Sequence, residues 1–465
     1  MIHAPGRFMN GRVGPWGTGP GHGLFPEPDP DPEFDFLDEM PTEDEITFFR
    51  NRRQSFYTET ATNVDEDESG YYCDGQTGLV HKLIVFHHDV TFDRGEGQPP
   101  VTYQHYAAIR YPGLNAVEVA DPSNPYPDPH DFPIIVQCHG ASDRDEAIPM
   151  RTADTMIENL GGSDFLTREC LFLIPMYFGW SFETVANDGT CMAVFDQYPD
   201  WEIPIQMVDQ DWPAIPDPLA VFDYGPLYTE HDAFVRCILE SLAAVRQMGH
   251  STSKKVAFLG TSLGCGMATQ SCGLLNGTAQ ESPQTKAVVG FFGPTDQYAN
   301  FMKMNYKRYR ASRILNPIER WHFEDPTKWY QYTYKDILPN MIRRCRTPAV
   351  EEYINETDPV LKAEKRAGLR YAFLNGCPAE WWKYDTGPWP TMILHGTADD
   401  TVLVDNSRWF AEQMRLHNIP PDDTGFQYLE TFDGGHRVKD VDEDHLGQKL
   451  EFREMAAQLL EDALS

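Results

Sequence analysis

Three residue types that can together cleave an acyl bond stand at three glycine-flanked positions of this chain. Ser262 lies within Gly260-Thr-Ser-Leu-Gly264, Asp399 and Asp400 follow His395-Gly-Thr-Ala, and His436 ends Phe432-Asp-Gly-Gly-His436. A serine hydroxyl is a weak nucleophile at its own pKa and must lose its proton to a neighbouring base as it attacks. Histidine is the residue suited to take that proton, and a carboxylate behind it fixes the tautomer and stabilises the imidazolium. The expected chemistry is acyl transfer, with Ser262 as nucleophile, His436 as base and Asp399 or Asp400 as acid. Asp296 is a further competing acid.

G-x-S-x-G alone is a weak signal and gains meaning where a strand turns sharply into a helix. Here Val256-Ala-Phe-Leu259 is a continuous apolar run, which suits a strand buried on both faces, and a helix-compatible stretch from Met267 to Cys272 follows. Such a turn exposes Ser262 and aims the N–H groups of a new helix at a forming oxyanion. Asp399 follows an apolar run, Thr391-Met-Ile-Leu-His395, and His436 follows a predicted strand from Phe426 to Phe432. All three residues thus come after strands, where crevices open in parallel α/β sheets.

The rest of the chain supplies the elements of such a sheet. His81–Phe86 and Val101–Tyr111 alternate as antiparallel edge strands. Buried strands are expected at Phe132–Gly140, Cys170–Pro175 and Ala287–Phe292. Helices are expected at about Arg151–Leu160, Thr229–Met248, Asp405–His417 and His445–Leu464. Thr229, with Asp232 three residues on, is a good N-cap, and Phe234, Ile238, Leu242 and Val245 share one helical face. Strands alternating with helices imply a doubly wound, mostly parallel sheet. The alternation stops between Gly293 and Pro390, where helices are expected near Lys335–Arg344 and Val360–Leu374. The segment at about 294–388 therefore reads as an inserted lid or cap. Residues 1–70, rich in Pro, Gly, Asp and Glu, read as an irregular acidic arm before a domain spanning 71–465.

Composition narrows the function. Among 465 residues, 71 Asp and Glu against 38 Lys and Arg give a formal charge of −33, which repels nucleic acids and anionic membranes. No apolar run is long enough to span a bilayer. The N-terminus lacks the basic and apolar regions of a secretory signal, so the reading is cytoplasmic, with a mature secreted form left open. Nine cysteines without a C-x-x-C pair argue against a zinc ribbon, and Cys138, Cys170, Cys237 and Cys265 read as reduced core residues. Asp65-Glu-Asp-Glu-Ser-Gly70 resembles a calcium loop but has Gln76 where the bidentate Glu belongs. His87-His88 reads as an isolated pair at a strand end. No metal or cofactor is expected.

On these residues the chain resembles the α/β-hydrolase superfamily, and within it the esterase branch related to prolyl-oligopeptidase catalytic domains and dienelactone hydrolases. The likeness covers roughly residues 80–292 and 388–465. Gly260–Gly264 matches the nucleophile elbow, His395-Gly-Thr-Ala-Asp399 an H-G-x-x-D motif, Gly434-Gly-His436 a G-G-H motif, and His139-Gly140 the oxyanion loop. The resemblance implies Asp399 as acid and an oxyanion hole from the N–H groups of Leu263 and Ala141. His139, Tyr177, Trp180, Trp321, Trp329 and Trp381 are the candidates for substrate contact. The expected activity is serine carboxylic-ester hydrolysis of a small or polymeric substrate, aromatic or bulky esters and polyesters included. A serine peptidase or acyl-peptide hydrolase, or a non-catalytic binding protein on this fold, is the alternative. A propeller-bearing peptidase is disfavoured, because the N-terminal portion is short and shows no repeat.

Overall fold

A computed structural model of the chain describes residues 60–73, 77–93, 97–115, 131–140, 163–176, 230–275, 283–293, 355–375, 390–397, 426–431, 434–436 and 452–465, with single positions elsewhere. Its strands are β1 (Thr62–Cys73), β2 (Val80–Phe92), β3 (Val101–Arg110), β4 (Ile134–Cys138), β5 (Leu171–Pro175), β6 (Lys255–Thr261), β7 (Gln284–Phe291), β8 (Thr391–Gly396) and β9 (Phe426–Thr431). The helices are α1 (Asp164–Glu169), α2 (Glu230–Gln247), α3 (Leu263–Leu275), α4 (Pro359–Asn375) and α5 (Phe452–Leu464).

All nine strands share one sheet in the order β1-β2-β3-β5-β4-β6-β7-β8-β9. Pairing is antiparallel from β1 through β3 to β5, and parallel from β5 onward. This is the doubly wound, mostly parallel sheet of the α/β-hydrolase fold. The alternation of β6 shows how both faces are covered. Val256 and Phe258 join Phe234 and Leu242 of α2 and Met267 and Cys272 of α3. Ala257 and Leu259 point the other way, into a core with Leu166 of α1 and Leu460 of α5. Burial on both faces is why the central strands read as unbroken apolar runs.

Several expectations need correction. The tail of the expected acidic arm is β1, which pairs with β2 from Thr62↔Asp89 to Cys73↔Val80. β2 and β3 are therefore interior strands, and the calcium-loop look-alike lies in extended chain. His87 and His88 sit within β2, not at its end. His87 Nδ1 lies 2.6 Å from Asp67 Oδ1, and His88 Nε2 lies 2.9 Å from Ser241 Oγ on α2. α1 was not expected; at six residues it is too short to show a period, and Ser163 caps it by accepting from Leu166 N–H. α3 begins at Leu263, four residues before the expected helix. Thr229, the expected helices at 151–160 and 335–344, and most of the expected lid lie outside the described residues. α4 is helical as expected. Cys138, Cys170, Cys237, Cys265 and Cys272 are buried free thiols.

Four buried histidines make the fold sensitive to acid. His88 and His105 meet at 3.1 Å (Nε2 to Nδ1) beside Ser241, and His81 Nε2 receives Arg110 Nη2 at 2.8 Å. Burial pushes His88 down to about 3 and His139 down to about 4. Burial and then the Arg110 charge hold His81 well below the ordinary value, and burial with His88 does the same for His105. These rings are neutral when folded, and in the unfolded chain they gain protons below about pH 6.5. Their stabilisation is therefore complete above about pH 6.5 and drains away as pH falls toward the folded values. With four groups the slope reaches on the order of 5 kcal/mol per pH unit. Melting temperature should thus drop steeply between about pH 6.5 and 4; a flat profile across that range would contradict neutral burial.

Candidate active site

The elbow is built from close backbone packing. Ser262 follows β6 directly with φ 50°, the left-handed region a side-chain-bearing residue rarely adopts. Its N–H donates to Phe291 O at 3.0 Å, and its own carbonyl accepts Cys265 N–H at 3.0 Å as α3 begins. Gly264 lies against the end of β4, and a β-carbon there would come within 1.9 Å of Cys138 O. That contact brings the chain at His139 up to the elbow.

The acid and base are carried on two joined turns. Thr397 N–H donates to Thr431 O at 2.8 Å, linking the end of β8 to the end of β9, and Gly434 N–H bonds the same carbonyl at 3.3 Å. Asp399 thereby comes to face His436. His436 Nδ1 lies 2.7 Å from Asp399 Oδ2, and His436 Nε2 lies 2.9 Å from Ser262 Oγ. The two contacts form one chain when Nδ1–H donates to the carboxylate and the hydroxyl donates to Nε2. Ser262 and Asp399 are 7% and 4% exposed, so most water is kept from the pair.

Protein donors surround Asp399. Val402 N–H donates to Oδ1 at 2.8 Å, and Oδ2 faces both His436 and His395, whose Nε2 is 3.2 Å away. Burial raises this carboxyl, but hydrogen bonds from His395 and His436, with their charges, outweigh it and hold the group at about 2. His395 is fully buried and fixed on both nitrogens, with Nε2 at 2.8 Å from Val402 O and Nδ1 at 2.8 Å from Ser407 Oγ. In the sequence it stands only as the first residue of the H-G-x-x-D motif. The i,i+4 spacing of His395 and Asp399 at a strand end was the signal that the two could meet.

Of the other expected site residues, Leu263 opens α3, placing its N–H at the helix N-terminus beside Ser262. His139 is 2% exposed, and its Nδ1 lies 3.0 Å from Gly140 O. Ala141, Tyr177, Trp180, Trp321, Trp329 and Trp381, like the competing acids Asp296 and Asp400, lie outside the described residues. Burial pushes the Cys265 thiol up to about 12, which leaves it protonated at neutral pH and unsuited to nucleophilic attack. Among the described residues no cluster of three or more His, Cys, Asp or Glu could hold a metal, and no helix is long and apolar enough to cross a membrane.

No family model and no curated protein matches the sequence. Among solved structures, a variant of the rice cell wall degrading esterase LipA from Xanthomonas oryzae is similar at 14% identity and TM-score 0.41, covering 87% of this chain and 99% of its own. Acetyl xylan esterase 1 from Thermoanaerobacterium sp. is similar at 11% identity and TM-score 0.42, covering 94% and 99%.

Proposed function

We propose that the chain is a serine hydrolase of carboxylic esters, working through an acyl-enzyme on Ser262. The observation that carries this reading is the continuous chain from Ser262 Oγ to His436 at 2.9 Å and from His436 to Asp399 at 2.7 Å. As Oγ bonds to the ester carbonyl carbon, its proton passes to His436 Nε2, and Asp399 stabilises the resulting imidazolium without taking the proton. The carbonyl electrons move onto oxygen, held by the N–H groups of Leu263 and Ala141. Collapse of that intermediate breaks the bond to the alcohol, which leaves with the proton from His436. Water then repeats the sequence on the acyl-enzyme, and the acid departs with Ser262 restored.

Esters are favoured over amides because their carbonyl is less stabilised by resonance and an alkoxide leaves more readily than an amide anion. Aromatic, bulky and polymeric esters are the substrates to compare first, with the tryptophans of the 294–388 segment proposed as their contacts. A fluorophosphonate probe tests the reading. One adduct per chain, mapped to Ser262, is expected, together with turnover of p-nitrophenyl acetate faster than of a matched peptide anilide. No adduct, or one on another residue, would refute the nucleophile; the opposite substrate ranking would make the protein a peptidase.

A further inference from the structure

We infer that Phe292, which follows β7, is the positioning residue for the His436 imidazole. Its ring packs edge-on against that imidazole, with centroids 4.7 Å apart and planes at 64°. Such tilted pairs are attractive beyond the area they bury, so the ring favours one orientation of His436 over its rotamers. The inference rests on the serine-hydrolase reading, in which the direction of His436 Nε2 sets the proton transfer.

The backbone gives an independent reason. Phe292 has φ 39°, and the other side-chain-bearing residues in the left-handed region among those described are Asn63 and Ser262. For a bulky residue this conformation is costly and persists only where surrounding structure over-determines it. Here three contacts do so. Phe292 N–H donates to Leu394 O on β8 at 2.7 Å, while Phe291 O accepts Ser262 N–H at 3.0 Å. Gly293 is wedged against the elbow, where a β-carbon would come within 2.4 Å of Ser262 O and 1.9 Å of Cys265 Cβ. Residues 291–293 thus bond the nucleophile's elbow and the strand leading to the acid, and the same stretch places a ring on the base. The strained φ turns Phe292 out of the alternation of β7 toward His436. A glycine would fit the backbone without strain, so a phenylalanine there points to a use for its ring.

Four variants separate positioning from bulk. Phe292→Leu keeps apolar volume without the ring, Phe292→Tyr keeps the ring, and Phe292→Ala and Phe292→Gly remove it with and without backbone strain. The expected result is a kcat about 10- to 100-fold lower in the Leu, Ala and Gly variants, with KM within about twofold, because misdirected groups slow the chemical step. The Tyr variant should stay within about threefold of wild type, its ring contact preserved. The Gly variant should melt about 1–2 °C above the Ala variant yet recover no activity. If kcat instead follows melting temperature across the series, or the Leu variant keeps wild-type kcat, Phe292 is structural and the inference is overturned. Histidine side-chain NMR supplies a readout that needs no substrate. The His436 Nδ1–H signal should persist in wild type and the Tyr variant and be lost to solvent exchange in the Leu variant. Equal signals in all three would reject positioning, whereas failure of wild type and probe to react would reject the serine-hydrolase reading alone.

Discussion

Ser262→Ala should lower hydrolysis of a short p-nitrophenyl ester by about 10³- to 10⁶-fold, the range expected when the nucleophile of a coupled triad is lost. Folding should hardly change. Among the described residues the hydroxyl hydrogen-bonds to His436 Nε2 at 2.9 Å, and the substitution removes a single oxygen atom, so it opens no sizeable core cavity. Alanine must also adopt the φ of 50° that serine already tolerates, so the backbone strain is the same in both proteins. The melting temperature of the variant should therefore lie within about 1 °C of wild type, a loss of about 1 kcal/mol or less on the usual scale for a chain this large. Activity retained within tenfold would remove Ser262 from the mechanism. A collapse of the melting temperature would instead mean that the Ser262–His436 contact holds the fold.

Asp399→Asn should lower kcat by roughly 10³–10⁴, because an amide favours the wrong imidazole tautomer. The surroundings of Asp399 sharpen this expectation. Val402 N–H on Oδ1 and His436 and His395 on Oδ2 all face a group that only accepts. An asparagine turns an N–H₂ toward one side or the other, so a donor meets a donor whichever way it rotates. The variant should also lose stability in a pH-dependent way. Asp399 is held at about 2, below its unfolded value, so its stabilising contribution is present above about pH 4 and drains away as pH falls toward 2. The difference in unfolding free energy should reach about 2 kcal/mol at neutral pH and shrink below about pH 4. Asp400→Asn should cost far less in rate. The reverse ranking of the two aspartates would place the acid one residue later.

Much of this site could be read from the sequence because its parts lie where local pattern is strongest. The apolar run from Val256 to Leu259 and the glycines around Ser262 leave few alternatives to a strand, a sharp turn and a helix. The choice of Asp399 over its neighbour was not decided by spacing; it came from a family resemblance, and the bond to His436 depends on turns joined across β8 and β9. Phe292 escaped notice because a left-handed φ leaves no mark on residue type when the residue is not glycine or asparagine. β1 escaped for a different reason: a run of Asp and Glu has poor strand propensity. Its pairing is supplied by β2 and by partners distant in sequence, with Asn63 Nδ2 at 2.6 Å from Asp89 and His250 Nε2 at 3.1 Å from Glu66.

β1 is the terminal strand on its side of the sheet, and among the described residues no strand lies beyond it. A terminal strand offers unpaired backbone groups to any second copy of the chain. Asp65, Glu66 and Asp67 are consecutive, so their carboxylates emerge on both faces of the strand. Two copies docking there would bring such rows within about 5 Å, the spacing of paired strands. That is inside the screening distance of about 8 Å at physiological ionic strength, where like charges still repel. The acidity that hid β1 from sequence reasoning is thus a barrier to fibrillar stacking, and it weakens as salt rises or as the carboxylates take up protons.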